Sequence, residues 1–403
     1  MLIGIDLLWV RPQICGGTES VIRNLLTGFG MYDDKNEYIL FAGKDTAETF
    51  TDYEKYSNMR IEVCDVESMN RVKRIAWENA NLDKLARSLD VNVMFIPVYS
   101  KPNSLSEEKG GIPYITTIAD LQALHFPKYF SKPKIFFAKR SWKKAVNESR
   151  CITTISNFCK EDILKHYPKA KDRIFVLYAP ILLSPDMDLE IESELAQKDT
   201  TGDYIADDIN DDILNKPTDV FDNLKERYGI ERNEFFYTVS SMLPHKNLIT
   251  LINVIKELKE AGEECKLVVS GVGGNKEDFE KSVEEAGINE LVIDTGFVSD
   301  KERDALYENC RLFLFPSTFE GFGMPPVEAM IKGAKVVTTK CASIEEITNS
   351  KAVYVDDPLN TKDWIEKIKE ADLLENKKHI FPEYELKNVT EEYLELFEGV
   401  WEK

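Results

Sequence analysis

The sequence predicts an α/β protein made of two doubly wound domains. Three observations carry this. Short apolar runs of strand length alternate with helical patterns, the mark of βαβ units and parallel sheet. The alternation stops near Pro180 and restarts near Phe235. The chain has 403 residues, 43% of them apolar, which is enough material for two separate cores.

The elements follow in order. Leu2–Leu8, Tyr38–Ala42, Val91–Pro97, Tyr114–Ile118 and Cys151–Ile155 read as buried strands. Between the first two, Val21–Phe29 puts Ile22, Leu25, Leu26 and Phe29 on one helical face. Residues 184–219 then hold twelve acids and two lysines. Such a segment has too little apolar surface to fold alone and is expected to be a flexible or loosely packed insertion. Phe235–Ser240, Lys266–Ser270, Leu291–Thr295, Arg311–Pro316 and Lys335–Thr339 form the second set of strands, with Leu248–Glu260 one of the helices between them. Thr390–Trp401 is a last amphipathic helix. The expected division is an N-terminal domain over 1–180, an acidic linker over 181–220, a C-terminal domain over 221–383, and a helix over 384–403 that packs back on the first domain. Domain closure about a hinge near 180–220 and the final helix is expected.

Composition excludes several function classes. Lys and Arg number 51 against 71 Asp and Glu, a net charge of −20. A general nucleic-acid binder needs the opposite balance. The seven cysteines are scattered, without a Cys-x-x-Cys pair, and the four histidines show no ligand spacing with them. Reduced thiols and no metal site are expected. No apolar run reaches the roughly 18 residues of a membrane span. The opening residues Met1–Leu8 lack a basic leader and read as a first strand, so a cytoplasmic location is expected.

In open α/β sheets, ligands gather at the carboxyl ends of strands and on helix N-termini. Three segments stand at such places. Gly16-Gly17 follows the first strand and opens a helix. Paired glycines let the backbone approach a ligand and present amides to an anion, though an ordinary tight turn has the same composition. Pro316–Pro326 follows the strand Leu312–Phe315 and precedes a helix from Val327 to Gly333. It carries Glu320, with Glu328 eight positions on in the first helical turn. Two carboxylates at that spacing along one edge can accept hydrogen bonds from two vicinal diols. The plainer readings are a helix-dipole partner for Glu328 and a solvated Glu320. Ser240–Asn247 follows the first strand of the second set and places Lys246 at a helix N-terminus, against the dipole's preference. An anion such as a diphosphate would resolve the conflict. A lysine snorkelling at the surface is the alternative.

Together these segments resemble the retaining GT-B glycosyltransferases of sequence family four, a resemblance that implies two Rossmann-like domains facing across a cleft. The resemblance covers nearly the whole chain outside the acidic insertion. Its most specific part runs from Phe315-Pro316-Ser317 through Glu320-Gly321-Phe322-Gly323 to Glu328-Ala329-Met330, the family's Glu-x7-Glu element. Gly16-Gly17 matches the N-domain glycine loop, and Pro244-His245-Lys246-Asn247 the phosphate-binding lysine motif. Asp120-Leu121-Gln122 with Phe126-Pro127, and Ile155-Ser156-Asn157-Phe158, echo bacterial surface-polysaccharide members.

The resemblance implies roles. Glu328 would bind the donor ribose. Glu320, with the amides of Phe322, Gly323 and Met324, would hold the donor sugar. Lys246 and the Gly16-Gly17 amides would stabilise the diphosphate as charge develops on it, with Ser241 and His245 beside them, and Asp120 or Gln122 would line the donor sugar and acceptor on the other side. The implied reaction is metal-independent, configuration-retaining transfer of a hexose from a UDP-, GDP- or dTDP-sugar to a saccharide or lipid-linked acceptor, with no cofactor. Two departures stand out. Ser241 occupies a position where many relatives carry arginine, and Ala119 one where many carry histidine. They keep open a second reading, a catalytically weakened nucleotide-sugar-binding or scaffold protein.

One segment is set apart by charge. Residues 128–147 contain Lys128, Lys132, Lys134, Lys139, Arg140, Lys143 and Lys144, no acid, and interleaved Tyr129, Phe130, Phe136, Phe137 and Trp142. One reading is a surface that faces anionic lipid at the inner face of the membrane, or a lipid-diphosphate-linked acceptor. The other is aromatic core with solvated lysines. Asp186-Met187-Asp188 mimics an Asp-x-Asp metal motif but follows no strand, and is read as chance.

Overall fold

Buried apolar strands joined by helical crossovers pair in parallel, because only a crossover returns the chain to the same sheet end. The computed structural model describes residues 1–12, 14, 16–100, 102, 111–182, 220–273 and 276–401. Its first sheet consists of β1 (Leu2–Asp6), β2 (Glu37–Gly43), β3 (Met59–Cys64), β4 (Val93–Ile96), β5 (Tyr114–Thr117), β6 (Cys151–Thr154) and β7 (Ile174–Val176). The order is β3-β2-β1-β4-β5-β6-β7, parallel throughout. The second sheet consists of β8 (Phe235–Val239), β9 (Lys266–Ser270), β10 (Val292–Gly296), β11 (Leu312–Phe315), β12 (Val336–Thr339) and β13 (Val353–Val355), ordered β10-β9-β8-β11-β12-β13 and again parallel. Strand order therefore reverses between β1 and β4 in one sheet and between β8 and β11 in the other.

The chain divides into two compact units. The first takes in Met1–Leu182, Phe319–Met324 and the described residues from Phe381 onward; the second takes in the described residues of 183–318 and 325–380. In the first unit, the helix Gly17–Tyr32 covers one face of the sheet with Ile22, Leu25, Leu26 and Phe29. The helix Leu386–Trp401 joins the same core through Val389, Tyr393, Phe397 and Val400. The rings of Phe29 and Phe95 each meet those of Tyr393 and Phe397 edge-on or tilted. Gly28 allows the two helices to close, since a Cβ there would lie 2.1 Å from Thr390 Oγ1. In the second unit the helices Leu248–Glu260 and Thr361–Asp372 pack Leu251, Ile255, Trp364 and Ile368 against the sheet.

The ten strands expected from the sequence are present. Three further ones, β3, β7 and β13, are not anticipated by it. The acidic segment 184–219, with Asp186-Met187-Asp188, lies outside the described residues, as does the hinge expected near 180–220 apart from its ends. Cys15 is also outside them; the six other cysteines are free thiols, five buried. Among the described residues no helix is long and apolar enough to cross a membrane.

Candidate functional site

In the second unit the lysine motif follows β8, and the helix that bears Glu328 comes after β11; the two are neighbouring strands at the reversal of order. Lys246 is not on the long helix, as the sequence suggested. It ends a short 3-10 turn, Pro244–Lys246, after which Asn247 takes a left-handed conformation (φ 53°) and the helix begins at Leu248. The turn is sewn to the end of β11. The buried His245 spends its carbonyl on the Thr318 amide (2.7 Å), the Thr318 hydroxyl (3.0 Å) and the Ser317 hydroxyl (3.2 Å). Asn247 donates to the carbonyls of Pro316 (3.2 Å) and Pro358 (2.9 Å). The Lys246 ammonium stands 5.8 Å from the Phe315 ring centre. Half-buried Ser241 lies in the loop that precedes this turn.

Glu328 sits on the helix Met324–Ile331, which starts three residues earlier than its prolines suggested. Pro325 and Pro326 fall in the first turn, where the missing N–H has no helical partner to lose. Glu328 is therefore in the second turn and 9% exposed. Tyr307 donates its hydroxyl to Glu328 Oε2 at 2.9 Å, and Arg303 Nε stands 3.8 Å from the same oxygen. Burial pushes the Glu328 carboxyl above the usual range, while the Arg303 charge and the Tyr307 hydrogen bond pull it back. Neither Arg303 nor Tyr307 was found by sequence reasoning. Both lie inside the helix Asp300–Asn309, away from any glycine-rich loop.

In the first unit Gly16 caps the helix Gly17–Tyr32 with φ 57°, a conformation that favours glycine. Gly17 has no such need: a Cβ there would meet only Met324 Cε, at 3.5 Å. The loop Phe319–Met324 packs within this unit. The Gly321 carbonyl accepts from Ser156 Oγ (2.7 Å) and Cys159 Sγ (3.2 Å). Ser156 also caps its own helix, accepting from the Cys159 amide at 3.1 Å. Phe319 packs on His125, Phe126 and Phe158, and the buried Phe322 on Tyr178 and Tyr384. Gly323 has φ 95°. Asp120 holds the Gln122 amide at 2.9 Å. Burial raises the Asp120 pKa, and the Glu320 carboxylate raises it further. His125, not singled out from the sequence, bonds Asp162 at 2.7 Å.

The structure thus gathers the expected residues into two groups. Lys246, His245, Ser241 and Glu328 belong to the second unit. Gly16, Gly17, Asp120, Glu320, Phe322, Gly323 and Met324 belong to the first. Glu320 and Glu328, read as two points on one edge, fall in different units. Among the described residues no group of three or more His, Cys, Asp or Glu side chains could hold a metal ion.

Residues 220–387 match the family described as Glycosyl transferases group 1. The chain is 25% identical over 244 residues to an O-antigen chain mannosyltransferase B of Escherichia coli, covering 60% of this chain and 57% of that one. It is 28% identical over 200 residues to the serotype-specific mannosyltransferase WbdA of Escherichia coli, covering 49% and 21%. It spans less than two thirds of the length of each of these relatives. The solved structure of Anabaena HepE in complex with UDP and glucose superposes with a TM-score of 0.62 at 15% identity, covering 99% of this chain and 100% of the other. At that identity the likeness shows the fold, which is GT-B.

Proposed function

We propose, from the match of residues 220–387 to the glycosyl transferases group 1 family, that the chain transfers a hexose from a nucleotide-diphosphate sugar to a saccharide or lipid-linked acceptor in polysaccharide biosynthesis, in the cytoplasm. One observation carries the reading. Within a single unit, a lysine turn bonded to the end of β11 and a buried, hydrogen-bonded glutamate follow the two strands at which order reverses. That is where open α/β sheets take nucleotides. In this reading Glu328 accepts the ribose hydroxyls and Lys246 neutralises the diphosphate. In the first unit, Gly17 supports it too, since the protein itself leaves room for a side chain there. The sugar would lie against Glu320 and the Phe322–Met324 amides, with Asp120 on the acceptor side.

The transfer is proposed to be metal-independent and to retain anomeric configuration. Lys246 and backbone amides would supply the positive charge that the leaving diphosphate needs. Mannose is the first sugar to test, because two similar chains bear mannosyltransferase names.

The test is a thermal-shift screen with UDP-, GDP- and dTDP-hexoses, followed by sugar-transfer assays and NMR of the product's anomeric proton. A ligand at about 100 times its Kd stabilises by about 2.7 kcal/mol. No shift with any of the three nucleotides and no sugar released would refute the proposal. Ser241, which puts no cation beside Lys246, favours one alternative: a shift with a nucleotide sugar but no turnover would identify a binding protein.

A further inference from the structure

The helix Lys132–Glu148 buries Ala138, Trp142, Ala145 and Val146 in the first unit. Its other side is unusual. At 100° per residue, Phe136, Phe137, Arg140 and Lys143 fall on the face turned away from Trp142. Phe136 is 65% exposed and Phe137 59%, with ring centres 5.8 Å apart. Tyr129, in the preceding turn Pro127–Tyr129, is exposed as well. So the two readings of this segment divide by residue: Trp142 is core, while three other aromatics are not.

The charges around these rings are equally uncommon. Lys128, Lys132, Lys139, Arg140 and Lys143 are exposed. Among the described residues no carboxylate pairs with any of them. Elsewhere this acid-rich chain pairs its surface lysines readily, as in Lys225–Glu231, Lys276–Glu280 and Lys367–Glu370. The cationic surface also reaches beyond the helix. Burial lowers the Lys134 pKa, and the Arg71 and Arg11 charges lower it further. Like charges are thus held together in a chain whose net charge is −20.

We infer that this face, Tyr129 to Lys143, docks on a bilayer rich in anionic lipid. The argument is charge complementarity combined with exposed rings. Lipid headgroups supply a dense, laterally mobile negative charge that can meet every lysine at once, and the rings can enter the boundary below them. A nucleic acid duplex would meet the lysines but offers no apolar layer for the exposed rings to enter.

The test is flotation of the full chain with vesicles of phosphatidylglycerol and phosphatidylethanolamine, and with vesicles of phosphatidylcholine alone. Binding is expected to the anionic vesicles at about 50 mM salt and to fall at about 500 mM, where the Debye length shrinks to about 4 Å. Neutral vesicles should bind at least about tenfold less. Phe136→Ser with Phe137→Ser should weaken binding about tenfold. Lys139→Glu, Arg140→Glu and Lys143→Glu together should abolish it. The substituted residues are exposed, so circular dichroism and Tm should stay at wild-type values; if the phenylalanine variant misfolds, the charge-reversal variant carries the test. No binding to anionic vesicles at low salt, equal binding to neutral ones, or unchanged binding of the properly folded variants overturns the inference. So does a concentration-dependent dimer that disappears in the phenylalanine variant, which would assign the face to a second copy of the chain. The assay contains no donor, so its outcome is independent of sugar transfer.

Discussion

Tyr307 donates its hydroxyl to Glu328 across 2.9 Å, and Arg303 stands 3.8 Å from the same carboxylate oxygen without a hydrogen bond from its Nε. The glutamate is thereby held in one rotamer with part of its charge balanced and its remaining acceptor capacity unspent. Glu328→Ala removes the acceptor. A hydrogen bond to a charged group is worth about 1.5–3 kcal/mol, so nucleotide affinity should fall about 10- to 100-fold. Tyr307→Phe keeps the carboxylate but loosens it, and should cost about tenfold or less. Calorimetric titration with the nucleotide that gives the thermal shift checks both.

Lys246 is expected to matter most when charge develops on the leaving group. Lys246→Ala should lower kcat by about 100-fold, as for a lost charge-stabilising donor, with a smaller change in KM. The turn is held by the His245 carbonyl and the Asn247 side chain, neither of which the substitution touches. Its Tm should therefore stay close to wild type. A kcat within a few-fold of wild type would remove Lys246 from the reaction.

A buried acid cluster in the first unit should make stability depend on pH. Asp6, Arg74 and Glu78 are each less than 10% exposed, and Arg74 stands 3.5 Å from Glu78. Burial raises the pKa of both carboxyls; for Glu78 the Asp6 charge adds to it, and for each the Arg74 charge opposes it. A carboxyl with a raised folded pKa keeps its proton better folded than unfolded. Its penalty is absent below the ordinary carboxylate range, near pH 4, and grows as pH rises above it. Glu78→Gln removes one such group. The stability difference between variant and wild type should shift in the variant's favour between about pH 5 and about pH 8, measured by denaturant unfolding. A pH-independent difference would contradict this.

Gly28 is placed where two helices touch. Gly28→Ala would drive a methyl into Thr390 Oγ1 and to within 3.0 Å of Leu386. Overpacking of this kind costs about 1–3 kcal/mol. Thr390→Ala removes the closer of the two clashes and should restore part of the loss. Unfolding of the single and double variants forms the cycle that checks it.

Much of the fold is legible in the sequence because buried parallel strands are nearly continuous apolar runs. Leu312-Phe313-Leu314-Phe315 can hardly be anything else. β3 escaped because Met59–Cys64 mixes polar and apolar residues at a sheet edge, and β7 and β13 because three residues are too short a signal. The loops of the site announce themselves through glycine, proline and charge out of place. Their supports do not. Arg303 and Tyr307 look like any residues of an amphipathic helix, and Ser156 like any helix cap. Only tertiary contact gives Tyr307 its carboxylate and Ser156 its second partner, the Gly321 carbonyl. The division of Phe319–Met324 from the strand it follows is likewise a matter of which side chains receive Phe319 and Phe322, which no local pattern encodes.

The helix Leu386–Trp401 lends Val389, Tyr393 and Phe397 to a core otherwise built from residues before 180. During synthesis that core must wait. Its sheet leaves the ribosome long before the segment that seals it, and the entire second unit is translated in between. Until then Phe29 and Phe95 lack two of their ring neighbours. Loss of the late helix would leave those rings exposed however well the strands had paired.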